Sequence, residues 1–268
     1  MVFSAAFVIT DGIFVGKGLG SDALAAVNIT APIFLLTTGI GLMFGLGASV
    51  VASIHLSQGK VKVARINITQ AVVVSSLFLL LASIFVCMYA PEVSACLGAS
   101  ERLQPLASEY IYWFVPFLAF SSLLLSGMFF IRLDGSPKYA MWCNAIPAVI
   151  NIVLDYIFIF IFKWGMMGAA LASSLGTVIG GIMILAYLFR RSHTIRFIRM
   201  KWSRKSLRLT TRNVGYMCKL GASSFLCEAT IAFMMFIGNY IFIHYLGEDG
   251  VAAFSIACYF FPIIFMVY

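Results

Sequence analysis

The 268-residue sequence predicts an all-α integral membrane protein: a six-helix bundle followed by the first two helices of a second bundle. Three observations lead there. The chain is 62% hydrophobic and only 10% charged, where soluble domains carry roughly 25% charged residues. Its apolar residues fall into long uninterrupted segments. The charges that remain collect in short connectors, with basic residues concentrated in every second one.

A membrane-crossing helix needs about 20 apolar residues. Segments of that kind run over 2–16, 23–54, 66–90, 105–131, 139–162, 167–189, 213–245 and 251–268. The first and last are short of a complete span, so the sequence reads as part of a longer protein. Pro91 ends the third segment, Asp134-Gly135-Ser136-Pro137 is a turn signal between the fourth and fifth, and Gly247 to Gly250 closes the seventh. Glycines cluster at 39, 41, 45 and 47 in the second segment and at 176, 180 and 181 in the sixth, where small residues let helices approach closely. The organisation predicted is a first bundle over 1–189, a basic connector over 190–212 and a partial second bundle over 213–268.

The connectors fix an orientation. Those at 55–65, 132–138 and 190–212 hold fourteen Lys and Arg residues, nine of them in the last. The alternate connectors hold three, Lys17, Arg102 and Lys163. The positive-inside rule predicts a multi-pass protein of the cytoplasmic (inner) membrane with a cytoplasmic N-terminus. The net charge of +8 is thereby assigned to anionic lipid rather than nucleic acid.

Enzyme chemistry is not expected. No GxSxG, HExxH or phosphate-binding loop is present, and His55, His193 and His244 form no triad. The six cysteines lack a CxxC pair and read as small buried apolar groups, with no cofactor. Met43, Met128, Met166 and Met167 read as packing residues, Tyr110, Tyr112 and Trp113 as an interfacial aromatic belt, and Glu109 as a helix-end acid.

An internal repeat is visible. Aligning Gly20 with Gly247 matches Leu19, Asp22, Ala25 and Ala26 with Leu246, Asp249, Ala252 and Ala253. The copies are six helices apart, so they share one orientation. Parallel halves with a site between them are a recurrent transporter plan, and a complete protein of twelve helices is expected.

The residues that carry chemistry are acids in apolar surroundings, which are expensive and therefore mark ion or substrate paths. Asp11 lies in the first segment and Asp155 in the fifth. Asn151 precedes Asp155 by four residues, so both project from one helix face. Ser173 adds a hydroxyl from the sixth segment. Asp11, Asn151, Asp155 and Ser173 form a hard-oxygen set fit for a proton or Na⁺. In the seventh segment Glu228 is a second acid, for substrate or ion, and Asn239 is an interior amide assigned to the same site or to helix packing.

Asp11-Gly-Ile-Phe-Val-Gly, Leu19-Gly, Ala23-Leu-Ala-Ala, Ala48-Ser and Gln58-Gly occur in order. They are followed by Asn151-Ile-Val-Leu-Asp155-Tyr-Ile-Phe-Ile-Phe and Gly165-Met-Met-Gly-Ala-Ala-Leu-Ala-Ser. This series resembles the multidrug and toxic compound extrusion (MATE) transporters over the whole chain, through helix eight of twelve. The resemblance implies a V-shaped pair of six-helix bundles. It implies an antiporter, monomeric in membrane lipid, that exports small cationic substrates against H⁺ or Na⁺. It also implies a first-bundle ion site at Asp11, Asn151, Asp155 and Ser173, with Ser173 standing where the family has Thr. Glu228 resembles the helix-seven acid of one branch. Two alternatives remain: a lipid-linked oligosaccharide flippase of the related export superfamily, and a non-transporting membrane assembly subunit.

Overall fold

The computed structural model describes the backbone of residues 2–198 and 204–267 and the side chains of 9–198 and 208–259. Among the described residues the regular structure is all helical. In chain order the helices are α1 (Val2–Leu19), α2 (Ser21–Ser57), α3 (Val61–Met88), the short α4 (Ala90–Cys96) and α5 (Gln104–Phe114). After them come α6 (Leu118–Leu133), α7 (Pro137–Asp155), α8 (Gly165–Ala186) and α9 (Arg204–Val267). Each of the eight expected segments is helical. Among the described residues six stretches are long and apolar enough to cross a membrane, and the chain is a multi-pass membrane protein. Leu77, Phe78, Leu80, Leu81, Ile84, Phe85 and Met88 of α3 face outward, as a lipid-facing belt requires. An exposed patch of this size would be a liability in water.

Two expected spans are subdivided. The fourth is α5 and α6 joined by a 3₁₀ turn, Val115–Phe117, around Pro116, whose ring and missing N–H interrupt an α-helical ladder. The fifth and sixth end in π-helical turns, Tyr156–Ile161 and Tyr187–Arg191.

The basic connectors are shorter than expected. α2 runs on to Ser57 and α3 begins at Val61, so Lys62 and Arg65 lie inside a helix. α9 begins at Arg204 and carries Arg208 and Arg212. Long basic side chains reach water from a helix end while their stems stay on apolar surface, so charge marks the membrane boundary without marking the helix boundary. The start of the 190–212 connector is tied down. Asp134 accepts hydrogen bonds from the backbone N–H groups of His193, Thr194 and Ile195 and from the Tyr187 hydroxyl (2.7–2.9 Å), and Arg65 Nε donates to the Thr194 carbonyl (2.7 Å). Asp134 is thus more than a turn former.

α9 bends at Gly247, where φ is 69° and ψ −158°. Gly20, between α1 and α2, has φ 93° and ψ −179°. The two glycines aligned in the internal repeat share a left-handed, extended conformation that side-chain-bearing residues rarely adopt. The local geometry of the two copies agrees.

α2 is the central packing element, and its glycines divide by face. Gly41 and Gly45 admit α6, with positions for a Cβ 3.2 and 2.8 Å from the Cα atoms of Ser122 and Ser126. Gly39 and Gly47 admit α9: a Cβ at Gly39 would stand 3.1 Å from Glu228 Cβ, and one at Gly47 would stand 2.1 Å from the Met217 carbonyl oxygen. The contact is reciprocal, because a Cβ at Gly221 would lie 2.1 Å from the Met43 carbonyl oxygen. Met166 lies in the core cluster with Val15, Tyr110 and Ile159, and Met43 and Met128 pack against a separate core cluster around Phe44, Ile68 and Phe130, as expected.

At the end opposite the basic connectors, Ala25, Ile29, Leu103, Val251 and Ala252 form an apolar cluster between α2 and the second arm of α9. Above it Arg102 pairs with Asp22 and with Glu248 (3.1 Å). Hydrogen bonding to Asp22, then the charges of Asp22, Glu248 and Asp249, raise the Arg102 pKa above its ordinary value.

Candidate functional site

The site forms where α1, α5, α7 and α8 meet. In α7, Asn151 and Asp155 share a face by their four-residue spacing and are buried, at 2% and 0% exposure. The helix turns into its π-helical segment at the residue after Asp155; such segments frequently occur at functional positions. Gly176 brings α8 against this face: a Cβ there would meet Asn151 Cβ at 3.1 Å. The approach lets Asn151 Nδ2 donate to Ser173 Oγ (3.2 Å).

Asp11, half-buried in α1, faces the Asp155 carboxyl at hydrogen-bonding range. Both Asp155 oxygens and Asn151 Oδ1 are buried with no donor among the described residues. The two facts agree: facing carboxylates are both acceptors, and their contact becomes a bond only with a proton or cation between them. Orphaned buried acceptors are costly, and three oxygens of one helix face are left in that state.

Tyr110 completes the cluster and corrects the expectation of an aromatic belt. Tyr112 is 57% exposed, but Tyr110 is 8% exposed. Its hydroxyl is in hydrogen-bond reach of Ser173, and its ring lies in electrostatic reach of Asp11 and Asp155. The sequence signal was available: Tyr110 and Phe114 lie one helical turn apart on the buried face of α5, while Tyr112 is on the other. The structure thus brings Asp11, Asn151, Asp155 and Ser173 together and adds Tyr110. An apolar shell of Val15, Phe114, Ile159, Met166 and Ala170 surrounds them. Among the described residues no group of three or more His, Cys, Asp or Glu is arranged as a metal centre; the donors here are mixed amide, hydroxyl and carboxyl oxygens.

Glu228 and Asn239 lie elsewhere. Glu228 is half-buried on α9 where it crosses Gly39 of α2. Asn239, fully buried, accepts a hydrogen bond from Asn28 Nδ2 (3.1 Å), while its own Nδ2 has no acceptor. Eleven residues separate the two along one helix, roughly 16 Å at 1.5 Å per residue, so they do not form one cluster. The Asn28–Asn239 hydrogen bond joins α2 to α9.

The MatE family profile matches residues 1–157, a stretch that contains Asp11, Tyr110, Asn151 and Asp155. The chain belongs to the MatE family. Among its relatives, the "Multidrug export protein MepA" of Staphylococcus aureus is 24% identical over 172 residues, 63% of this chain and 36% of that protein. The "FAD transporter" of Shewanella oneidensis is 26% identical over 212 residues, 74% of this chain and 46% of that protein. A solved structure described as the inward-facing conformation of a multidrug resistance MATE family transporter superimposes with a TM-score of 0.78 at 26% identity, covering 93% of this chain and 56% of that one. The chain spans about a third to a half of the length of these curated relatives. Its MatE fold therefore has counterparts among transporters named for quite different cargoes.

Proposed function

We propose that this MatE chain forms the ion-binding part of an antiporter that exports cationic, lipophilic compounds in exchange for H⁺ or Na⁺. One observation carries the reading: the facing Asp11 and Asp155 carboxyls, with both Asp155 oxygens and Asn151 Oδ1 lacking donors. A proton or a small hard cation is the partner that satisfies such a set, and Ser173 and Tyr110 supply further oxygens. An ion shifts a conformational equilibrium only by its differential affinity for the two states. A pair split between α1 and α7 provides that difference, because any movement of α1 relative to α7 changes the distance between its members.

In this reading residues 1–189 act as one lobe and 213–268 belong to a second. The charge asymmetry supports a cytoplasmic basic end and an inner-membrane location. Export of drugs is favoured by the names of the multidrug relatives. A flippase for pyrophosphate-linked substrates calls for cationic side chains in the membrane, and no Lys or Arg takes part in the described site.

The test is Asp155→Asn, nearly isosteric, in the protein in its full native length, reconstituted in vesicles. Efflux of a cationic dye is followed with the H⁺ and Na⁺ gradients collapsed separately. Ion-driven efflux is expected to fall at least tenfold. Efflux equal to the parent's, with the same ion dependence, overturns the reading.

A further inference from the structure

The acid pair has a neighbour from a remote part of the chain. Tyr259, in the second arm of α9, lays its ring on α1 at Gly12, the residue after Asp11. A Cβ at Gly12 would stand 2.7, 2.8 and 3.0 Å from three ring carbons, so only a glycine admits the ring there. Gly12 is itself buried. The ring packs against the apolar shell that holds Val15, Tyr110 and Met166, and it lies in electrostatic reach of Asp11, Tyr110 and Asp155.

Asp11, Tyr110, Asn151, Asp155 and Ser173 all come from α1 to α8. Among the described residues, Tyr259 is the aromatic residue that reaches them from α9. It sits 12 residues past Gly247, the bend that separates the two arms. A change in the angle of the second arm therefore moves the ring relative to Gly12 while α7 and α8, clasped at Gly176, keep Asn151 and Ser173 in place.

We propose that Tyr259 is a positioning residue that acts as a removable lid on the acid pair, with Gly12 as its socket. This rests on the ion-coupling reading above. With the ring seated, the pair is shielded from the side of α9. When the second arm swings away, the pair is uncovered and exchanges its ion. The ring is what matters, since it fills the socket; the hydroxyl tunes the contact. Ion binding in one part of the molecule is thereby tied to the position of the other, and an ion that bypasses the lid is lost without cargo moving.

The experiment uses the full-length protein in vesicles, with an internal pH dye or ²²Na⁺ to read ion flux without cargo and a cationic dye to read coupled efflux. Tyr259→Leu keeps apolar bulk and helix propensity, and Gly12→Ala displaces the ring from the other side. Both are expected to retain ion binding in detergent, to raise cargo-independent ion flux about tenfold and to lower coupled efflux by a similar factor. The double variant should be no worse than either single one. Tyr259→Phe should stay within threefold of the parent, and ion binding retained by Tyr259→Leu while its uncoupled flux rises separates loss of the lid from a general packing defect, which would weaken binding as well. Tight, fully coupled transport by both Tyr259→Leu and Gly12→Ala, in a protein whose Asp155→Asn variant has lost its ion dependence, overturns the lid alone. Unchanged ion dependence of Asp155→Asn overturns the ion-coupling reading, and the lid falls with it.

Discussion

The crossing of α2 and α9 at Gly47 and Gly221 yields the sharpest prediction. In Gly47→Ala the new Cβ would stand 2.1 Å from the Met217 carbonyl oxygen and 2.8 Å from its carbonyl carbon. Those are backbone atoms of a helix, so no side-chain rotation relieves the clash. Ordinary contact begins near 3.4 Å, and the helices must part by about 1.3 Å. Such overpacking costs about 1–3 kcal/mol. Because the clash is with backbone, the upper part of that range, about 2–3 kcal/mol, applies, and the gain in helix propensity from Gly to Ala, about 0.5–1 kcal/mol, leaves a net loss of about 1–2.5 kcal/mol. That corresponds to a fall of about 2–10 °C in apparent Tm, by the scaling for chains of this size. Gly221→Ala should behave alike, since its Cβ would stand 2.1 Å from the Met43 carbonyl oxygen. The double variant should lose less than the sum, because helices already parted by one methyl group accept the second more readily. Gly215→Ala is the control: it lies on the same helix with open space at its Cβ, and its Tm should hold or rise. Thermal unfolding of the purified protein in detergent reads all four. Parental stability of both single variants, or strict additivity in the double one, refutes the close backbone packing deduced here.

Three further outcomes follow from named contacts. Asp134→Ala strands the N–H groups of residues 193–195 at about 1–3 kcal/mol for each that stays dry, while the Tyr187 hydroxyl keeps Ser136 Oγ as its partner, so hydrogen exchange at 193–195 should accelerate at least tenfold; unchanged protection rules out the clamp. Asn28→Leu alone leaves Asn239 unpaired and should lower the apparent Tm, whereas the Asn28→Leu/Asn239→Leu pair should recover most of the loss, since replacing both partners removes the orphan; a double variant less stable than the single contradicts this. Arg102→Ala removes both ion pairs of a solvent-exposed guanidinium, so its Tm deficit should be small in dilute buffer and absent at about 1 M salt, where screening acts within ~3 Å; a salt-independent deficit places its contribution in packing instead.

The sequence by itself determined the membrane class, the spanning segments and the two carboxylates, because each rests on a local rule: segment length, charge in connectors, and the expense of acid in an apolar run. It also singled out Asn151 with Asp155, since helical periodicity alone puts them on one face, and Gly20 with Gly247, since their aligned contexts demand one backbone shape. The tertiary structure decided which of these residues meet. That Asp11 faces Asp155, that Tyr110 turns inward while Tyr112 does not, and that the Tyr259 ring rests on Gly12 all depend on how α1, α5, α7 and α9 cross. The glycines of α2 show the division most plainly: their small size was legible, but only the helix crossings tell that Gly41 and Gly45 serve α6 while Gly39 and Gly47 serve α9. Helix formation depends on neighbours three and four residues away, whereas a site built from four helices depends on packing angles that no local pattern encodes.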